Sequence, residues 1–252
     1  MKPKPIDAHS HLYFEDFDDD RQEVIESAQE DLERVVVPGV DYESNKKVAE
    51  LNNNYSEFIV PNMGLHPTYR EAFDEIEDIK SQIRENNPAG IGEIGLDHHH
   101  VTGEDERTKQ RQVFRKMLEL AEQLNKPIAV HSREAEKQAY ELIQQYNIPG
   151  VFMHCFNGKP GLAEEITGPK TKVGVTTQVL YSTRVQNIVK KLDIEDMVLE
   201  TDSPFLYRGE RNQPSNVLES AKKIAKIKDI SIGKVVSETT HNSVQLFNLE
   251  AV

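Results

Sequence analysis

Eight short apolar runs rich in β-branched residues recur along the chain, each separated from the next by a longer segment. They are PIDAHSH (5–11), RVVVPGV (34–40), FIVPNMG (58–64), GIGEIGL (90–96), PIAVHSR (127–133), GVFMHCF (150–156), TKVGVTT (171–177) and MVLETDS (197–203). Between the fourth and fifth, Val113, Phe114, Met117, Leu118, Ala121 and Leu124 recur at helical spacing, and Asn125-Lys126-Pro127 ends that stripe. The segments after the second, third, fifth and seventh runs also suit helices, and the short GLAEEIT follows the sixth. Strand-helix alternation repeated this often means parallel pairing through crossovers. Its usual closed form is a (β/α)8 barrel of TIM type, and an open doubly wound sheet is the alternative. Beyond the eighth run, Asn-Val-Leu-Glu from Asn216 reads as a capping box opening a helix, and a last helix is expected from Ser231 to about Leu246. With no linker and no low-complexity stretch, residues 1–252 read as one domain.

Composition narrows the chemistry. With 37% hydrophobic and 29% charged residues the chain reads as soluble and globular. No apolar run approaches the roughly 18 residues of a membrane span. MKPKPIDAHS has two lysines but no signal-like apolar stretch, so a cytoplasmic location is expected. The single cysteine, Cys155, excludes an intramolecular disulfide and every cysteine-based zinc cluster. Any metal must be held by His, Asp or Glu. Thirty basic against 43 acidic residues give a net charge of −13, which opposes nucleic-acid binding through the general surface but not at a site made positive by bound cations.

In such a barrel the functional face lies at the C-terminal ends of the strands. Those ends carry His9 and His11, His66 in GLHP, Glu93 in GEIGLD, His131, His154, and Glu200 and Asp202 in LETDSP. His9 and His11 alternate along the first strand and so share a face. Four histidines (His9, His11, His131, His154) with Glu93 and Asp202 can hold two divalent ions, and a carboxylate such as Glu93, with two oxygens, is the natural bridge. Paired ions of this kind support in-line attack of water on phosphate, with Asp202 placed to accept the proton. His66 is expected to touch substrate, and Arg133, Arg208 and Arg211 to grip phosphate oxygens through their forked donors. His98, His99 and His100 are consecutive in a loop and cannot all face one ion, so they read as loop or substrate wall.

DAHSHL, GVD (39–41), GLHP, GEIGLD, RQVF, KPIAVHSR, MHCFNG, LETDSPFL and RGERNQPSNV occur in the order found in the TatD-type metal-dependent deoxyribonucleases, which the chain resembles nearly end to end. The resemblance implies a (β/α)8 barrel, dependence on divalent metal (Mg2+, Mn2+ or Zn2+), and exonucleolytic hydrolysis of phosphodiesters in DNA, with single strands or ends as substrate. No membrane partner is expected, and the sequence shows no motif for a protein partner. By position it gives one ion to His9, His11, Glu93 and Asp202 and the other to Glu93, His131 and His154. The family commonly has two aromatic residues after GLD, where this chain has histidines, and GVTTQVLYST matches loosely. An amidohydrolase or lactonase using the same ligands on a small molecule is the alternative expectation.

Overall fold

The computed structural model describes residues 3–250; Lys2, one of the two lysines read at the N-terminus, lies outside them. The eight strands are β1 (Ile6–Asp7), β2 (Arg34–Pro38), β3 (Ile59–Met63), β4 (Gly90–Gly95), β5 (Ile128–His131), β6 (Val151–Met153), β7 (Thr171–Val175) and β8 (Met197–Leu199). Each pairs in parallel with the next in chain order. The sheet curls until its ends meet: Ala8 donates its N–H to Leu199 O at 2.9 Å, and Ser10 bridges to Ser203. This is the expected (β/α)8 barrel.

The helices α1 (Arg21–Asp31), α2 (Tyr42–Asn54), α3 (Ile76–Asn86), α4 (Glu104–Leu124), α5 (Glu136–Ile143), α6 (Pro160–Ile166), α7 (Thr183–Lys191) and α8 (Val217–Lys228) supply the outer layer, and α9 (Ile232–Leu246) closes the fold. Alternation along the strands divides the core in two. Val35 and Val37 face outward onto the helices and belong to the same continuous cluster as Phe114, Met117 and Leu118 of α4. Burial of each such side chain contributes about 1.5–3 kcal/mol. Ala8, Val36, Val60, Ala129, Phe152 and Val198 face inward. Phe247, just past α9, packs edge-on against Phe152 with ring centres 6.0 Å apart, so apolar groups fill the barrel beneath the functional face.

Three local readings need correction. β1 is only two residues long, so His9 and His11 stand beyond it on the extended segment that crosses to Ser203. The helix α1, with only Val24, Ile25 and Ala28 buried, has too faint an apolar stripe to have been assigned. The Asn216 capping box does not form: a short 3-10 turn, Pro214–Asn216, leads into α8, and the Asn216 amide donates to Asn212 Oδ1 instead. At Ser231, by contrast, the hydroxyl caps α9 by accepting from Lys234 N.

Candidate active site

Glu93 lies at the centre of the C-terminal face because β4 is irregular. Ile91 pairs with Ile128 but Ile94 with Val130, so three steps on β4 oppose two on β5. A bulge of this kind re-aims a side chain. Here it accompanies a cis Gly92–Glu93 peptide and an inward carboxylate only 2% exposed. Gly64 is required beside it, since a Cβ there would come within 2.6 Å of the Glu93 carbonyl oxygen.

Around Glu93 the expected residues gather. Its Oε2 lies 3.4 Å from His9 Nε2 and 3.7 Å from His11 Nε2, and those two nitrogens are 3.2 Å apart. Its Oε1 lies 3.0 Å from His131 Nδ1 and 3.3 Å from His66 Nε2. Asp202 Oδ1 is 3.5 Å from His11 Nε2, 3.7 Å from His154 Nε2 and 3.8 Å from His9 Nε2. Three ion-sized groups result: His9 with His154 and Asp202, His9 with His11 and Glu93, and Glu93 with His66 and His131. His154 Nε2 also lies 3.8 Å from Glu93 Oε1. His154 leans toward β8, and His66, from the loop after β3, joins His131.

A buried carboxylate just past β8 accounts for the leaning of His154. Glu200 is fully buried, accepts from His154 Nδ1 at 2.5 Å and from the Cys155 N–H at 2.7 Å, and so directs His154 Nε2 at Asp202. Gly174 on β7 makes room, because a Cβ there would lie 2.0 Å from Glu200 Oε1. Asp97 does the same for His131, meeting its Nε2 at 2.8 Å while the His100 N–H closes on the carboxylate at 2.6 Å. Asp7 accepts from the backbone of His9 at 3.2 Å and from Thr201 N and Oγ1 at 2.9 and 2.6 Å, fastening β1 to β8. None of these three had been assigned a role; each is an acid inside a motif already noted. Asp202 adopts a left-handed backbone (φ 59°), a conformation that aspartate tolerates better than most residues.

The electrostatics suit cations. Burial, with the charge of His154, pulls the His9 pKa down to about 3 against the pull of Glu93, so the ring is neutral at pH 7. Burial alone would lower His154 as well, but Glu200, Glu93 and Asp202 together push it up to about 10, so an ion at its Nε2 must displace a proton from the ring. Burial would likewise raise Glu93 and Asp202; instead His66 and His154 hold Glu93 well below the carboxylate range, and His154 and His11 hold Asp202 below it. A neutral His9 has one N–H to offer, yet its Nε2 faces His11, Glu93 and Asp202 together. A divalent ion satisfies such a convergence of lone pairs, and buried imidazoles with carboxylates are a donor set for borderline and hard ions alike. The residues present therefore fit the metal.

A cleft of about 550 Å³ opens over this centre, lined among others by His11, His66, Glu93, His131, His154 and Asp202. Arg133 lines it, and so does Arg184, which the sequence reading did not single out. Arg208 and Arg211 are not among the lining residues. Arg211 is engaged elsewhere, forked onto Asp20 at 2.8 and 2.6 Å and stacked on Phe17. His99 meets Glu134 at 2.7 Å and His100 meets Asp97, so this pair belongs to the loop rather than to the wall. A larger groove of about 880 Å³ between α1 and α2 is lined by acids such as Asp18, Asp19 and Asp20, away from the histidines.

A parallel eight-stranded barrel whose strand ends bring imidazoles and carboxylates together in ion-sized groups defines a barrel hydrolase of the metal-dependent class. Comparison with known proteins agrees. The family described as TatD related DNase matches residues 6–248, and the chain belongs to it. It is 33% identical to "Deoxyribonuclease TATDN3" of Homo sapiens over 96% of this chain and 94% of that protein. It is also 33% identical to "Uncharacterized metal-dependent hydrolase YabD" of Bacillus subtilis, over 97% and 99%. The crystal structure of YJJV, a TatD homologue from Escherichia coli, superposes with a TM-score of 0.87 at 23% identity over 99% of this chain and all of that one, which speaks to the fold. No helix among the described residues is long and apolar enough to cross a membrane.

Proposed function

We propose that this hydrolase cleaves phosphodiester bonds in DNA at a two-metal centre, acting as an exonuclease on single strands or ends. The observation that supports this best is the division of Glu93, whose Oε2 faces His9 and His11 while its Oε1 faces His131 and His66. A carboxylate shared in this way suits two ions, and two divalent cations offset the charges of Glu93, Asp202 and the carboxylates behind the imidazoles, which removes the repulsion of phosphate from this face of an acidic protein. Glu93, His9, His11 and Asp202 would hold one ion, and Glu93, His131 and His66 the other, with His154 reaching both carboxylates through Nε2. When bound, the ions polarise the phosphoryl oxygens and make water more acidic. The imidazole-rich set favours Mn2+ or Zn2+ over Mg2+.

The chain's own residues do the rest. Asp202, kept ionised and facing the cleft, accepts the proton of the attacking water. Glu200 and Asp97 fix the rings of His154 and His131, and Arg133 and Arg184 hold non-bridging oxygens by forked donation. The test is release of nucleotides from a short single-stranded DNA by chelator-stripped protein reloaded with Mg2+, Mn2+ or Zn2+, beside Asp202→Asn and a panel of esters, lactones and amides. Metal-dependent cleavage lost in the variant supports the reading. Turnover of the panel without cleavage of DNA overturns it in favour of a small-molecule hydrolase.

A further inference from the structure

Among the described residues, three large apolar side chains stand exposed, and two of them, Phe205 (46%) and Tyr181 (48%), sit on adjacent loops, after β8 and β7. Phe205 also lines the cleft, its ring centre 6.4 Å from that of His11. Phe14 backs it: the Phe14 ring stacks on His11 at 4.8 Å with a 20° tilt and meets Phe205 edge-on at 5.7 Å.

Single exposed apolar residues are ordinary on protein surfaces. Phe205 differs in how firmly its backbone is held. Its N–H donates to Asp202 O at 2.8 Å, and its carbonyl accepts from the buried Asn212 amide at 2.7 Å. The next carbonyl, that of Leu206, accepts from Thr177 Oγ1 at 2.7 Å and from the Tyr181 hydroxyl at 3.2 Å. The backbone that carries this aromatic ring is thus held at the rim of the metal-ligand cluster, while Arg133, after β5, and Arg184, at the start of α7, line the same cleft.

We propose that Phe205, backed by Phe14, is a stacking shelf for the nucleobase adjacent to the scissile phosphate; the inference rests on the phosphodiesterase reading above. A phosphate held among the strand-end ligands brings the base of its own nucleotide within reach of this ring, and π-stacking on a fixed aromatic tolerates any of the four bases. A base can reach the shelf only when it has left its neighbour in the strand, so frayed ends and single strands are the favoured substrates and intact duplex is not.

The experiment compares wild type, Phe205→Ala and Phe205→Trp, all loaded with Mn2+, on a single-stranded oligonucleotide and on an oligomer of tetrahydrofuran abasic residues with the same phosphate backbone. Melting curves verify that all three fold alike. The shelf predicts that Phe205→Ala raises KM for the base-bearing strand by about tenfold or more with kcat nearly unchanged, leaves the abasic oligomer unaffected, and is rescued by Phe205→Trp. Cleavage of both oligomers by wild type with equal KM, or a Phe205→Ala defect of equal size on both, overturns the shelf and leaves the phosphodiesterase reading standing. Failure of the wild type to cleave either oligomer overturns both.

Discussion

Replacing Glu200 by glutamine changes no ligand atom in the three ion-sized groups, yet it should cripple one of them. The wild-type carboxylate accepts twice, from His154 Nδ1 at 2.5 Å and from the Cys155 N–H at 2.7 Å. A glutamine has one acceptor. If its oxygen stays with Cys155, its NH2 faces Nδ1, which must then accept, and the imidazole proton moves to Nε2. That is the nitrogen 3.7 Å from Asp202 Oδ1 and 3.8 Å from Glu93 Oε1, so the lone pair needed for a metal is lost. Removing the partner that orients a ligating histidine typically costs 10–100-fold in metal affinity, or about 1.4–2.7 kcal/mol. The lost charge-assisted hydrogen bond costs the fold about 1.5–3 kcal/mol, with each kcal/mol lowering Tm by roughly 2–4 °C in a chain of this size. The assay is calorimetric titration of Mn2+ or Zn2+ into stripped wild type and Glu200→Gln, with turnover measured at saturating metal. Recovery of most of the wild-type kcat at high metal would mark Glu200 as a positioning residue. Unchanged metal affinity in the variant would refute the tautomer argument outright.

Other outcomes follow from the same geometry. Glu93→Gln should abolish turnover and lower the number of ions bound per chain, because two of the three groups share this carboxylate; full activity in that variant excludes a bridging role. Gly174→Ala should imitate Glu200→Gln in metal titration, since its Cβ would lie 2.0 Å from Glu200 Oε1, and wild-type affinity there would mean that Glu200 moves without consequence. Arg133→Ala should raise KM for DNA more than Arg211→Ala does, because Arg211 is committed to Asp20; the reverse order in steady-state kinetics would show that the Asp20 pair opens to substrate. Metal at 100 times its Kd should raise the stability of the stripped protein by about 2.7 kcal/mol per site, visible as a higher Tm, and no shift would exclude binding to the folded state alone.

The barrel and the gathering of ligands were legible in the sequence because a parallel barrel forces the ends of all strands to one face. Once eight strand-helix units are read, His9, His131, His154 and Asp202 have nowhere else to converge. What was not legible depends on contacts between distant strands. Glu200 and Asp202 stand two apart in LETDSP, but one points under His154 while the other, on a left-handed backbone, points into the cleft, and no periodicity in the sequence records that split. Asp97 was hidden in the same way inside GLD. The lean of His154 was hidden for a related reason, since the tether that draws it toward Glu200 is itself a tertiary hydrogen bond. Arg211 looked available because its partner, Asp20, lies 191 residues earlier in the chain.

The seam between β1 and β8 gives this centre a history as well as a shape. The bond from Ser10 to Ser203 spans 193 residues and that from Thr201 to Asp7 spans 194, and His9 and Asp202 stand on opposite sides of the same join. A ribosome delivers the two histidines long before the aspartate, so a growing chain holds only part of this cluster until β8 has emerged. An ion acquired early would find Glu93 and His131 before it could find Asp202. The cluster is therefore completed in one step, when β8 docks against β1.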